Sequence, residues 1–243
     1  MTVAYSAYSK DKKQFVMGAD NLEGWSGGIV SKIRVVLDRF AICVTGCDNT
    51  IHAFDGMIKV ISDDIELEAG WFDIHEVMSD LVLWTKKYTE QQVIEHALTP
   101  EVKRCLNAPQ DCEPTVIVFD SKTFELFEVE MKNIYPPQKF DVKSAKKSPL
   151  KEGVLHLHAM ATNRTLQVSE IPLPLEIFDQ PKLELEALIN LDKDFHNLAR
   201  SSQPGTPNIG DLGSFCYFND GKVIYVNLCS PGSSKESDNI IKK

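Results

Sequence analysis

Residues 2–20, TVAYSAYSKDKKQFVMGAD, decide how the rest of the chain is read. Residues 3–8 are apolar or small, SKDKK is a polar break, and QFVMGAD is a second short apolar run. Two such runs joined by a short polar loop read as a β-hairpin. Downstream, the glycine-rich GWSGG (24–28) leads into IVSKIRVVLD (29–38), and a turn at Asp38-Arg39 precedes FAICVTG (40–46). Apolar runs of this length suit strands buried on both faces.

Helical periodicity follows. Asp48 or Asn49 is placed to cap a helix carrying Ile51, Phe54, Ile58 and Ile61 on one face. A second helix begins near Asp73, with Glu76 three residues on as in a capping box, and its stripe is Ile74, Val77, Met78, Leu81 and Val82. A third is expected from Thr89, with Gln92, to about Leu98, and Pro100 marks its end. The chain then returns to strands: TVIVFD (115–120) and TFELFEVEM (123–131) flank Ser121-Lys122 as a hairpin.

Residues 135–152 hold Pro136, Pro137 and Pro149 with Lys143, Lys146, Lys147 and Lys151, and read as an exposed loop. GVLHLHAM (153–160) reads as a strand with Leu155 and Leu157 on one face, His156 and His158 on the other. Leu183, Leu188, Leu191, Phe195 and Leu198 form a helical stripe across 182–200, and SFCYF and KVIYVNL close a hairpin around Asn219-Asp220-Gly221. Strands, helices, strands, then a helix and strands is not βαβ alternation. It predicts an α+β fold, a four-layer αββα sandwich of two antiparallel sheets between helical layers. The expected organisation is one domain, 1–243, with an inserted region at about 135–180 and a loose tail after about 229.

Composition narrows the function classes. The 243 residues suffice for a sizeable core, and 43% hydrophobic with 25% charged residues excludes disordered, collagen-like and coiled-coil classes. A net charge of −9 argues against a general nucleic-acid binder or a ligand of anionic membranes. No apolar run approaches the ~18–20 residues of a membrane span. The opening strand leaves no room for a signal peptide, so a cytoplasmic protein is expected. Cys43, Cys47, Cys105, Cys112, Cys216 and Cys229 form no CxxC pair and read as reduced, buried thiols. Asn163-Arg164-Thr165 matches a glycosylation acceptor, which carries no weight without a secretory signal.

Thr2 is the first residue with chemistry to offer. Removal of Met1 leaves an α-amino group, which titrates near ~7.7–8 and can act as base toward the hydroxyl of the same residue. Asp20 ends one apolar strand and Lys32 begins another. A lysine beside a hydroxyl lowers its effective pKa, and a carboxylate orients that lysine. His156-x-His158 permits a metal pair, but with no third ligand identifiable it reads as a solvated face. Cys47, beside the fourth strand, reads as a packing residue, and the lysines of 143–151 as a solvated loop. No metal or cofactor is called for.

TVAYSAY, MGAD (17–20), SKI (31–33) and FAICVTG (40–46) together resemble the first four strands of the proteasome β-subunit family. That family is the N-terminal-threonine branch of the Ntn hydrolases, and the likeness is to a remote, bacterial-type member. The resemblance implies a threonine endopeptidase with Thr2 as nucleophile, Lys32 and Asp20 as its supporting pair, and the Gly46 amide as oxyanion donor. GDLGSF (210–215) carries Asp211 and Ser214 at the Asp-x-x-Ser spacing the family uses beside its terminal amine. Val44 is assigned to a substrate-pocket wall favouring apolar side chains. The interval from Asp20 to Lys32 is short for the family, and its third active-site serine has no counterpart here. Implied partners are a peptide or unfolded protein substrate, further copies in a homo-oligomeric ring, and an ATP-dependent unfoldase, with the stripes at 51–61 and 74–82 as ring surfaces. A catalytically silent subunit of such an assembly and a small-molecule amidohydrolase with the same nucleophile are the alternatives.

Overall fold

The opening hairpin forms as β1 (Thr2–Ser9) and β2 (Gln14–Asp20), paired antiparallel from Ala4↔Ala19 to Ser9↔Gln14. The computed structural model describes residues 2–21, 31–46, 63, 73–109, 112–161, 164–166, 170–171, 182–201 and 213–228. Met1, the expected helix at 51–61, Cys47, Asp211, Cys229 and the tail lie outside the described residues, as do parts of 135–180. The remaining strands are β3 (Ile33–Val36), β4 (Phe40–Thr45), β5 (Thr115–Asp120), β6 (Glu125–Glu130), β7 (Lys146–Pro149), β8 (Leu155–Ala161), β9 (Arg164–Leu166), β10 (Glu170–Ile171), β11 (Gly213–Asn219) and β12 (Lys222–Asn227). The helices are α1 (Ile74–Glu95), α2 (Pro100–Asn107) and α3 (Leu185–Ser201).

The strands form two antiparallel sheets. One runs β10-β8-β1-β2-β11-β12, with β9 also on β8; the other runs β3-β4-β5-β6-β7. Alternation along each strand divides the apolar residues among three cores. Phe15, Met17 and Ala19 of β2 meet Ala41, Cys43, Ile117 and Phe119 of the facing sheet, and the rings of Phe15 and Phe119 stack 3.7 Å apart. Phe40, Ile42, Val44, Val116 and Val118 point the other way, onto Ile74, Val77, Met78 and Leu81 of α1. Tyr5, Ala7, Val16 and Phe215 face Leu188, Leu191 and Phe195 of α3. Every residue of β2 and β4 is buried, which accounts for their unbroken apolar runs. Each fully buried Phe, Leu or Met contributes about 1.5–3 kcal/mol of apolar transfer.

Local signals account for several boundaries. Asp73 caps α1, its Oδ1 accepting from His75 N at 2.8 Å and Glu76 N at 2.9 Å, while Glu76 Oε2 accepts from Asp73 N at 2.9 Å. The Glu76 N–H, with that of His75, holds the Asp73 carboxyl below its usual range despite some desolvation. The closing hairpin turns on Asp220 (φ 50°) and Gly221 (φ 86°), both in the left-handed region that a two-residue turn of this hand requires. The stripe at 182–200 becomes α3 from Leu185 on, with Leu188, Leu191 and Phe195 buried; Leu183 is buried just ahead of the helix, and the Leu198 side chain lies outside the described residues. Among the described residues no helix is long and apolar enough to cross a membrane.

Four expectations are corrected. No new helix starts at Thr89: α1 runs through it, and the Thr85 and Thr89 hydroxyls donate back to Leu81 O and Thr85 O at 2.6 and 2.7 Å. Pro100 opens α2 rather than ending a helix. Thr99 is its N-cap, and a proline at the first helical position forfeits no intrahelical hydrogen bond. The segment 135–152 is not simply an exposed loop. Its lysines are exposed, but Tyr135, Pro137, Phe140 and Leu150 are buried, and β7 pairs with β6. His156 and His158 do not line a solvated face; both are buried on strand β8.

Candidate active site

β2 is flanked by β1 and β11, so the amino end of β1, the carboxyl end of β2 and the start of β11 lie together at one end of the sheet. Asp20 is the last residue of β2 and pairs with Gly213, and Ser214 pairs with Ala19. From the other sheet comes Lys32, one residue ahead of β3. Its Nζ donates to Asp20 Oδ2 at 2.9 Å, and both side chains are 0% exposed. The contact joins the two sheets. Burying two charges costs several kcal/mol per ion, which only a close, well-bonded geometry offsets.

The backbone of Lys32 continues the β3–β4 ladder, with Val44 N donating to Lys32 O at 3.0 Å. Val44 itself is buried in the core beneath α1, and Gly46, buried, follows the end of β4. Cys43 lies near the ion pair. Burial pushes its thiol up to about 12, Lys32 acting to lower it and Asp20 to raise it, so at neutral pH it carries no thiolate. Ser214 is buried and bonded on three sides. It donates to Asn21 Oδ1 at 2.8 Å, has Asn227 Oδ1 at 3.3 Å, and accepts from Tyr225 OH at 2.8 Å. Ser31 Oγ lies 2.7 Å from the Tyr225 hydroxyl.

Of the residues singled out from the sequence, Asp20 and Lys32 touch, Ser214 sits one ladder step from Asp20, and Val44 bonds the Lys32 backbone. Thr2 begins β1 and pairs with Met160 of β8; its side chain lies outside the described residues, as does Asp211. Asn21, Ser31, Tyr225 and Asn227 were not singled out. For Tyr225 and Asn227 the signal was the Asn219-Asp220-Gly221 turn, because a two-residue hairpin fixes Ser214↔Asn227 and Cys216↔Tyr225 by counting outward; Asn21 and Ser31 carried no such local signal.

Two further buried polar groups adjoin this region. On the other side of β1, His158 Nδ1 lies 3.0 Å from Glu128 Oε1 of β6, and its Nε2 lies 3.5 Å from Ser6 Oγ. Burial pushes the Glu128 carboxyl up, but the hydrogen bond and charge of His158, with His156 and Lys146, outweigh it and hold the group below its usual range. Behind the sheet, Tyr5 OH donates to Asp192 Oδ1 at 3.1 Å, and Gly213 N donates to Asp192 Oδ2 at 3.3 Å. His196 Nδ1 faces both the Asp192 carboxylate and its backbone oxygen, at 3.3 and 2.8 Å. Gly18 and Gly213 make room for this group: a Cβ on the first would strike the Tyr5 ring, and on the second Ala19 O and His196.

No protein-family model matches the chain, and no curated protein matches it.

Proposed function

We propose that this protein is a threonine peptidase of the proteasome β-subunit kind, built as a four-layer αββα sandwich and working from Thr2 after loss of Met1. The observation that carries the reading is the fully buried Asp20–Lys32 pair, set at the sheet end where β1 begins. A solvent-free ion pair is costly to keep and is rarely worth more than an apolar contact, so its retention suits a chemical duty. The packing of α1 on one sheet and α3 on the other supports the layering.

In this reading Thr2 Oγ attacks the peptide carbonyl carbon while its proton passes to the α-amino group. Lys32, oriented by Asp20, stabilises the developing alkoxide, and the Gly46 N–H stabilises the oxyanion. The protonated amine then gives its proton to the leaving amine, and water hydrolyses the resulting ester to restore Thr2. Ser214 and Asp211 hold the amine. An oxyanion donor of this kind is worth about 3 kcal/mol.

Intact-mass measurement should show a chain lacking Met1, and Thr2→Ala should lower turnover of a fluorogenic peptide by at least a thousandfold, on the scale of removing a nucleophile. Full turnover by Thr2→Ala, or Met1 retained throughout the sample, ends the proposal.

A further inference from the structure

Asp192 is fully buried on α3, the helix whose Leu188, Leu191 and Phe195 pack on the seven-stranded sheet. A carboxylate in such a place is costly unless donors answer it. Two strands answer this one: Tyr5 OH of β1 donates to Oδ1 at 3.1 Å, and Gly213 N of β11 donates to Oδ2 at 3.3 Å. His196 Nδ1 of the same helix lies 3.3 Å from Oδ2. Burial first, and the charge of Asp192 second, push the Tyr5 phenol well above its usual range, so it keeps the proton it donates. Tyr5 pairs with Gly18 of β2, and its ring occupies the space that a Cβ at Gly18 would take. One carboxylate thus ties together the two strands on either side of β2.

The rung that Asp192 holds is the one that carries Asp20. β1 pairs with β2 from Ala4↔Ala19 inward, so the ladder partner of Asp20 is Gly213 of β11. A Cβ on Gly213 would strike Ala19 O, so the amide that reaches Asp192 belongs to a residue only glycine can fill. From Asp20 the contact passes to Lys32 at 2.9 Å. We infer that Asp192 is a positioning residue for the Asp20–Lys32 pair: through the Gly213 amide it fixes the last rung between β2 and β11, and so the direction from which the Asp20 carboxylate meets Lys32. What Lys32 then does rests on the threonine-peptidase reading, whereas the placement of its ammonium can be observed without turnover. Tyr5 bonds the other carboxylate oxygen, so its hydroxyl adds stability without holding the rung.

The test compares full chains of wild type, Asp192→Ala, Asp192→Asn, Tyr5→Phe and Leu188→Ala, the last a core truncation on the same helix that spares the Asp192 side chain. Two quantities are followed on folded protein. One is the ammonium proton resonance of Lys32 in chains carrying isotope-labelled lysine, assigned by its absence from Lys32→Met. The other is kcat and KM on a fluorogenic peptide. Asp192→Ala leaves Gly213 N without this acceptor. It should shift or broaden the Lys32 resonance and lower kcat by about a hundredfold with KM little changed, the scale of a misplaced reacting group. Asp192→Asn keeps an oxygen for Gly213 and should restore both. Tyr5→Phe and Leu188→Ala should lower the unfolding free energy and leave both near wild type. A Lys32 resonance unmoved in Asp192→Ala, or moved equally in Tyr5→Phe or Leu188→Ala, overturns the inference alone. If Asp192→Ala does not fold, loss of the resonance in Asp192→Asn or Tyr5→Phe overturns it instead. Turnover that is absent, or untouched by Thr2→Ala, overturns the peptidase reading and with it the catalytic consequence drawn for Asp192.

Discussion

Two buried acid–base contacts join the sheets, one on each side of β1, and they are built differently. Asp20–Lys32 sets a carboxylate against a compact ammonium at 2.9 Å with neither side chain exposed. Glu128–His158 spans 3.0 Å, leaves the glutamate side chain 10% exposed, and extends to Ser6 through the second imidazole nitrogen. An ammonium can only donate, so its burial depends wholly on the acceptors around it. An imidazole can shed its charge and keep one donor and one acceptor. The first contact is intolerant of change and suits a fixed electrostatic duty; the second can lose charge and still hydrogen-bond.

Removing one partner from each contact should bring out that contrast. Lys32→Met strands a buried carboxylate and should cost about 3–5 kcal/mol in urea unfolding, with the Asp20→Asn/Lys32→Met pair recovering most of it. A double variant no more stable than the single would mean that the charges are not interacting as drawn. Glu128→Gln should cost less, about 1–3 kcal/mol, because an amide oxygen still accepts from His158.

The same variant sharpens the comparison through pH. Glu128 is held below its usual range in the fold, so the unfolded chain binds a proton first as the solution is acidified. Its contribution is complete above an ordinary glutamate value of about 4.3 and is lost as pH falls through the folded value. Unfolding free energy measured between neutral and acid pH should therefore fall less steeply in Glu128→Gln than in wild type. An identical slope would remove the assignment. The smallest effect belongs to Asp73→Ala, which touches neither contact and should cost about 1 kcal/mol through the lost cap. A larger loss there would mean that α1 bears on the sandwich more heavily than its cap implies.

What could be read from the chain divides by sequence distance. Both edge-of-strand charges were visible because Asp20 and Lys32 each end or begin an apolar run, and the first and last hairpins because their turns are local. The run from Thr89 to Pro100 misled because threonine and proline serve equally as helix starts, stops and, for threonine, interior residues bonded back one turn. The partner of His158 was invisible. Glu128 stands 30 residues away on the other sheet, and nothing in its alternating strand distinguishes it from a solvent-facing glutamate. Tyr5 and Asp192, 187 positions apart, meet only because glycine at position 18 leaves space for the ring.

The composition of β7 bears on how copies of this molecule can come together. It closes one margin of the five-stranded sheet with only four residues, Lys-Lys-Ser-Pro, both lysines exposed and the proline unable to donate. Such a border repels a matching border and offers a broken row of backbone donors, a guard against one sheet growing into its neighbour's. In a crowded solution this one margin therefore resists being extended by a strand of another molecule, so a copy that meets it is turned away instead of being added to the sheet.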